Sequence, residues 1–234
     1  MSILSKFVNG NLVYYDDYDY RWVRAVGPDV RSWEMRFGTD FTTACEYTNT
    51  VIDVGAGTSL ASQAITAGDR CLITTAQNEN DSVELQVVGT PFALAAGHPL
   101  YFGAKVSISD ATQSDFIVGL ASKDTNMIAA HAIALADDGV YFYKLDGVTT
   151  IYGAEEKSGT VAATACGTAM DASKHIYEIF YDGVGAISFY FDGGLVVQAS
   201  AGYPTAVLSP SIGLAAGAAA AKTGLVEWMR CIQL

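Results

Sequence analysis

Short runs of valine, isoleucine, tyrosine, phenylalanine and threonine recur from residue 41 to the end of the chain, each bounded by turn residues. There are about a dozen of them, spaced by roughly 8–15 residues, and this punctuation is typical of a β-sandwich or barrel. Residues 61–68 are compatible with a short helix, and 127–139 with a short helix or a strand before an Asp-Asp-Gly turn. The pattern predicts an all-β fold over 41–234, with less than about a tenth of the residues in helix.

The stretch YDGVGAISFYFDGGLVV, residues 181–197, carries the strongest hairpin signals. Its Asp-Gly and Asp-Gly-Gly sequences favour tight turns, because glycine adopts positive φ without strain. Between the turns, Phe189 and Phe191 share one face of the predicted strand, since side chains alternate along it. That face is wholly apolar, so we expect both phenylalanines to point into the core.

The chain is acidic, with 25 aspartates and glutamates against 13 lysines and arginines and a formal net charge of −12. Binding to nucleic acid or to an anionic membrane needs a basic face, so this charge argues against both partners. No stretch of eighteen apolar residues occurs, which argues against a spanning helix. The first residues hold one lysine and no long apolar core, so we expect no signal peptide and folding in the cytoplasm of the producing cell.

The cysteines favour neither a metal site nor a disulfide framework. Cys45, Cys71, Cys166 and Cys231 lie in or beside apolar runs, and none are in C-x-x-C spacing. Metal binding favours paired ligands, and the three histidines are far apart in the sequence. We therefore expect no metal, no cofactor and four buried, reduced thiols.

Residues 1–40 differ in composition from the rest of the chain. Four of the six arginines fall within sixteen residues there, interleaved with tyrosine, tryptophan and aspartate. Tyr, Trp and Arg are enriched at interface hot spots, so this arm is a candidate intermolecular contact. The other interpretation is a strand that covers a sheet of its own domain. The interface candidates are Tyr14, Tyr15, Tyr18, Tyr20, Arg21, Trp22, Arg24, Arg31, Trp33 and Arg36.

Several stretches resemble the concanavalin A-like lectin/glucanase jelly roll, in which two antiparallel sheets pack face to face. They are LYFGAKVSISDATQSDFIVGLASKD, GVYFYKLDG, YDGVGAISFYFDGG and the final LVEWMRCIQL. More narrowly, residues 81–120 resemble a domain seen in tailed-bacteriophage virion structural proteins, which implies a virion component. The resemblance covers about residues 41–234 and leaves residues 1–40 outside it.

Glycosidases of this jelly-roll family carry a Glu-x-Asp-x-Glu or Glu-x-Asp-x-x-Glu run on one strand, which sets the carboxylates at the separation that retaining hydrolysis needs. This chain has no such run. Glu84 and Glu178 are isolated on their strands, and the adjacent Glu155 and Glu156 would point to opposite faces. We therefore expect no enzymatic activity and assign no catalytic residue.

Three acidic runs, 78–82, 109–115 and 136–139, could in principle bind calcium. None has the spaced Asp/Asn pattern of a calcium loop, so solvated turns are expected there. Residues 55–62, GAGTSLAS, lack the Gly-Lys-Ser/Thr ending of a phosphate-binding loop and are expected to form a turn.

Together these observations predict a two-sheet antiparallel sandwich, a concanavalin A-like jelly roll, over residues 41–234, with an amino-terminal arm over residues 1–40. They favour a non-enzymatic bacteriophage virion structural protein, namely a capsid decoration (cement) protein on the outside of the head, assembled in the host cytoplasm. Expected partners are the major capsid protein or other virion proteins, and further copies of the chain in a dimer or trimer. The alternative is a carbohydrate-binding adhesin or tail-associated module that contacts a host surface glycan. An exposed aromatic row on a sheet face would favour that alternative.

Overall fold

A computed structural model describes residues 3–16, 22–34, 47–54, 64–66, 70–89, 92–135, 137–200 and 202–234. Within these residues the chain forms twenty β-strands and no helix. Accordingly, this part of the chain contains no helix that could cross a membrane. The predicted all-β class is confirmed.

One layer is a seven-stranded antiparallel sheet. In spatial order its strands are β15 (Thr160–Ala169), β14 (Thr150–Lys157), β13 (Gly139–Lys144), β10 (Ser114–Ala121), β19 (Ser209–Ala216), β8 (Ser82–Val87) and β5 (Tyr47–Ile52).

The second layer is an eight-stranded antiparallel sheet. Seven of its strands follow the order β18 (Gly194–Ala199), β17 (Ile187–Phe191), β16 (His175–Tyr181), β9 (Leu100–Ile108), β20 (Thr223–Gln233), β7 (Arg70–Thr74) and β6 (Ala64–Thr66). The eighth, β4 (Arg31–Glu34), pairs with the last residues of β20.

Two smaller sheets lie against this sandwich. The first contains β1 (Ile3–Val8), β2 (Asn11–Asp16) and β3 (Trp22–Val26), and the second contains β11 (Ile128–Ala129) and β12 (Ala132–Ile133). Val13 and Trp22 of the first sheet pack against Tyr101 and Ile232 of the eight-stranded sheet.

The core fills the space between the facing sides of the two large sheets. Phe142 of the seven-stranded sheet meets Phe189 and Tyr177 of the other sheet, with ring centroids 5.2 and 5.5 Å apart. Phe189 and Phe191 are 1% and 9% exposed, which confirms that both point inward. Cys71, Cys166 and Cys231 are buried free thiols, as predicted, whereas Cys45 lies outside the described residues.

The predicted hairpins of residues 181–197 are present. The Asp182 carboxylate accepts hydrogen bonds from the amides of Val184, Gly185 and Ala186, which closes the turn between β16 and β17. Gly183 has φ of 78°, a left-handed conformation that explains the glycine there. In residues 61–68, the described part is the strand β6 rather than a helix. The expected turn at 55–62 lies outside the described residues.

One strand of the predicted arm belongs to the sandwich itself. β4 pairs with β20 from Arg31↔Gln233 to Glu34↔Arg230, and Trp33 packs edge-on against Tyr47 at 6.0 Å. β4 therefore extends the eight-stranded sheet, although it falls within the predicted arm. The division between 1–40 and 41–234 stays a prediction.

Replacing Phe189 with alanine should lower the free energy of unfolding by roughly 3–5 kcal/mol, because it leaves a cavity between Phe142 and the rest of the core. Phe7 is 76% exposed, so its replacement with alanine is the matched control and should leave stability unchanged. Denaturant titration of both variants measures the difference. A loss below about 1 kcal/mol for Phe189→Ala would contradict its place in the core.

Candidate functional site

The side of the seven-stranded sheet that faces away from the core, called the outer face, carries a pair of tyrosines. Tyr143 and Tyr152 are directly opposite each other on β13 and β14. Their sequence neighbours Phe142 and Ile151 belong to the core, so the tyrosines point the other way. The two rings stack with centroids 5.1 Å apart and an interplanar angle of 17°, and both side chains are half-buried.

Beside these rings the outer face is lined by small side chains. Tyr152 is paired with Ala165 of β15, and Ala154 with Ala163. Ala163 and Ala165 are exposed, and their methyl groups do not fill the space next to the Tyr152 ring. We call Tyr143, Tyr152, Ala163 and Ala165 the tyrosine shelf.

The rest of the outer face is covered by residues 122–135, the cover segment, which contains β11 and β12. Its Met127, Ile128 and Leu135 form a second apolar cluster with side chains of the sheet, among them Ile117 and Tyr141. One sheet residue under the segment is a glycine, and a Cβ added at Gly213 would lie 3.1 Å from Ile128. The cover segment therefore fills the centre of this face. Tyr143 packs against the edge of its cluster, whereas Tyr152, Ala163 and Ala165 are not part of it.

Polar side chains of β8 hold the cover segment in place. The Glu84 carboxylate accepts hydrogen bonds from the amides of Met127 at 2.7 Å and Ile128 at 2.9 Å. The Gln86 side-chain oxygen accepts one from the Asp124 amide at 2.8 Å. Burial raises the pKa of Glu84, although the two amide hydrogen bonds act against this shift. Glu84 therefore acts as an anchor of the loop.

The tip of the cover segment is fixed by a histidine. Ala130 and His131 have φ values of 47° and 60° in the turn between β11 and β12. The His131 ring lies 2.8 Å from the carboxylate of Asp115, which is fully buried, and 3.1 Å from that of Glu79. Of the two structures that the sequence allows for residues 127–139, the strand is thus correct, in the form of a hairpin.

A hydrogen-bonded carboxyl group lies farther along the same face. Glu156 accepts a hydrogen bond from the Tyr141 hydroxyl at 2.7 Å and is 3% exposed. Burial raises its pKa, the Tyr141 hydrogen bond lowers it, and the charges of Asp124 and Asp138 raise it again. The charge of Asp124 also raises the pKa of Glu84. Carboxyl groups that are isolated on their own strands thus interact across the face.

Glu155 points the opposite way, as the alternation of a strand predicts. It is paired with the core residue Val140 and is 7% exposed. Its Oε2 atom is buried without a hydrogen-bond partner, and burial raises its pKa.

The acidic runs form turns, but they are not solvated as expected. The carboxylates of Asp81, Asp115 and Asp138 are on residues that are 4% exposed or less. Asp138 accepts from the amides of Ser158 and Thr205 at 2.7 and 2.8 Å, and the other two bind amides in the same way. Backbone amides thus replace water around them. Among the residues that the structure describes, no group of three or more His, Cys, Asp or Glu side chains is arranged to hold a metal ion.

The candidate interface residues of the amino-terminal segment are divided in the structure. Trp22 is 4% exposed and is stacked on Tyr101 at 6.2 Å, so it covers its own domain. Tyr14 and Tyr15 are half-buried on β2, and Arg24 and Arg31 are exposed. Tyr18, Tyr20, Arg21 and Arg36 lie outside the described residues.

Tyr14 is directly opposite Arg24, and Tyr15 is opposite Trp22, on β2 and β3. Arg24 and Trp33 line a common cavity of about 440 Å³. Arg230 also lines it, donating to the Val23 carbonyl at 3.2 Å and lying 3.4 Å from the Glu34 carboxylate. An intermolecular role of the exposed arginines stays a prediction.

No protein-family model and no curated protein matches this sequence. Among solved structures, the endo-1,3-beta-glucanase from Streptomyces sioyaensis is similar with a TM-score of 0.62 and 13% identity, over 91% of this chain and 99% of that one. A beta-1,3-glucanase from Mycobacterium marinum has a TM-score of 0.56 and 12% identity, over 80% and 91% of the two chains. The Emp47p carbohydrate recognition domain has a TM-score of 0.55 and 12% identity, over 79% and 87%.

At these identities the likeness shows the fold. The chain is a concanavalin A-like jelly roll, as the resemblance in its sequence implied. The expectation that it is not an enzyme is corrected, because glucanases share this fold over most of their length. That expectation rested on the absence of one acidic run on one strand, and the similarity to glucanases no longer supports it.

Sequence reasoning missed the tyrosine shelf and the cover segment. Tyr143 and Tyr152 stand in separate strand-like runs, and each run alone predicts only a half-buried strand. A hairpin between them was the available signal, because Asp146-Gly147 lies between the two runs. Glu84 is isolated on its strand in the sequence, and its amide partners come from more than forty residues away.

Two glutamate-to-glutamine variants should have opposite pH dependence. A raised pKa means that Glu155 stabilises the fold only when protonated, and this contribution is lost as the pH rises above the usual 4.5. Glu155→Gln should therefore raise the melting temperature at pH 7, and the gain should shrink as the pH approaches 4.5.

Glu227 is the matched control. Hydrogen bonds from Lys105 and Lys174 lower its pKa to about 2, so its contribution is present at neutral pH and lost as the pH falls from 4.5 towards 2. Glu227→Gln should lower the melting temperature at pH 7, and the difference should disappear in acid. A drop at pH 7 for Glu155→Gln, measured by thermal unfolding, would contradict the burial of an unpaired charge.

Proposed function

We propose that this chain binds carbohydrate on the tyrosine shelf. The proposal rests on the stacked, half-buried pair of Tyr143 and Tyr152 on the outer face of the seven-stranded sheet. A sugar ring presents apolar C–H faces between its hydroxyl groups. A tyrosine ring has an apolar face that can pack against these C–H groups and a hydroxyl group that can hydrogen-bond to the sugar hydroxyls.

The shape of the shelf supports this proposal. Tyr143 covers one face of the Tyr152 ring, and the alanines of β15 leave space beside the pair. The stacked partner limits the movement of the Tyr152 ring before a ligand arrives, which reduces the entropic cost of binding. The shelf supports the carbohydrate-binding alternative over capsid decoration, although its two tyrosines are half-buried rather than an exposed row.

The fold neighbours support it as well. A carbohydrate recognition domain and two glucanases share the fold, although those descriptions belong to the other proteins. They make soluble β-1,3-glucan oligosaccharides the first ligands to test.

Titration with β-1,3-glucan oligosaccharides, followed by calorimetry and by the fluorescence of the tyrosines, tests the shelf. We expect Tyr152→Ala to weaken binding by about tenfold or more, since one buried aromatic contact contributes on the order of 1–2 kcal/mol. Tyr190→Ala is the matched control, because Tyr190 is a half-buried tyrosine on the other large sheet. A glycan array with the same two variants extends the test to other sugars. Equal loss in both variants, or binding that survives Tyr152→Ala, would contradict the proposal.

Hydrolysis is the second activity to measure on the same ligands. Glu156 favours it, because a buried carboxyl group with a raised pKa is suited to donate a proton. The readout is the release of reducing ends by the wild-type chain and by Glu156→Gln. Release by the wild-type chain that is lost in Glu156→Gln would add hydrolysis to binding, and no release would leave binding alone.

The finer placement expected from the sequence also remains a proposal. The resemblance of residues 81–120 to virion structural proteins supports a tail-associated or adhesin module whose partner is a host surface glycan. Capsid decoration, with the major capsid protein as partner, is the other placement. Antibody labelling of intact particles in the electron microscope should mark the tail if the module is an adhesin. Labelling over the head surface would favour capsid decoration instead, and unlabelled particles would contradict both.

A further inference from the structure

β15 ends the seven-stranded sheet with an open edge. In the described part of the chain β14 is the one strand that pairs with it through backbone hydrogen bonds, and residues 160–165 do so in unbroken register. All six of these residues are exposed. In an antiparallel strand about half of the backbone amide and carbonyl groups point to each side, so β15 presents an unpaired row of them.

This edge lacks the usual protection against strand pairing. Natural edge strands carry lysine, proline or inward-pointing charges, or are kept very short. Residues 160–165 read TVAATA, with no charged residue and no proline. The register becomes irregular only beyond Ala165, near Gly167, whose φ is 70°. The straight and charge-free part is therefore the part that remains open.

We propose that residues 160–165 pair antiparallel with the same segment of a second copy of the chain. A two-fold axis perpendicular to the sheet keeps the outer faces of both copies on the same side. Residues that are directly opposite each other in the two copies then point to the same face of the sheet. The axis therefore passes between one residue and the same residue of the second copy. With the axis at Ala163, Val161 lies opposite the second copy's Ala165, and Ala162 opposite its Thr164. Two seven-stranded sheets become one sheet of fourteen strands.

Charge argues for a second copy as the occupant. The chain carries a net charge of −12, so most approaches of two copies are repulsive. At β15 neither copy brings a charge, and Ala163 meets Ala163 without a steric conflict. Glu156 is in one row with Val161, and across the axis that row continues with Ala165 and Tyr152 of the second copy. No carboxylate is placed opposite another. The pairing does not depend on carbohydrate binding.

Sedimentation and light scattering of the full chain test the pairing. We expect a mass twice that of the monomer at about 100 µM and dissociation on dilution, because interfaces of this small size are weak. Ala163→Lys sets two ammonium groups against each other across the axis, as Ala163→Glu does with two carboxylates. Each variant alone should weaken the dimer by about tenfold or more, and mixing the two should restore it.

Val184→Lys is the matched control, since Val184 is 85% exposed on the turn after β16 and should leave the dimer intact. Thermal unfolding of each variant verifies that the fold is kept. Amide hydrogen exchange over residues 160–165 should slow at the higher concentration, because the outward amides become paired. A wild-type chain that is monomeric throughout would overturn the proposal and leave the edge for the strand of another protein. A dimer that Ala163→Lys leaves unchanged, or a mixture of the lysine and glutamate variants that stays monomeric, would also overturn it.

Discussion

The final strand, β20, is the element on which the rest of the sandwich depends. Its eleven residues pair with β9 along nearly their full length, while its other edge pairs with β7 at one end and β4 at the other. Val226, Met229 and Cys231 of this strand are fully buried in the core. These partners come from residues 31–34, 70–74 and 100–108, so the end of the chain must be in place before the sheet closes. Such long-range pairing predicts slow folding relative to a protein built from local hairpins.

The two outer surfaces of the sandwich are covered in different ways, and this difference leaves the tyrosine shelf exposed. The three-stranded sheet β1–β3 covers Tyr101 and Ile232 on one side. On the other side, the cover segment is anchored by Glu84 and occupies only the central strands. Tyr143 packs against the edge of the cluster that the segment forms, whereas Tyr152 is not part of it. A ligand for this face would therefore first meet aromatic rings and small side chains, and Glu156 is the nearest buried carboxyl group along β14.

The sequence predicts well the parts of the fold that local chemistry decides. The turns around Asp182 and Gly183 follow from hydrogen bonding and positive φ within a few residues, and the inward face of Phe189 follows from strand alternation. The tyrosine shelf depends instead on register. Tyr143 meets Tyr152 across a hairpin whose connection is residues 145–149, and a shift of one residue would turn either ring into the core. Glu84 likewise looks isolated in the sequence, because its partners are amides of a distant loop that carry no sequence signal. Trp22 is predicted as an interface residue from the composition around it, but it packs within its own domain.

The small residues of β15 are common to the two proposals. Ala163 and Ala165 leave space beside Tyr152, and the same absence of bulk and charge keeps the edge open to another strand. An isolated domain gains little from ten residues of this kind, because alanine has low strand propensity and buries little area at an exposed edge. A paired edge would recover that cost through backbone hydrogen bonds. The symmetry of the pair would also set two tyrosine shelves on one continuous surface. A repeating glycan could then engage both shelves at once, and two weak sites would act as one stronger site without any new contact to sugar.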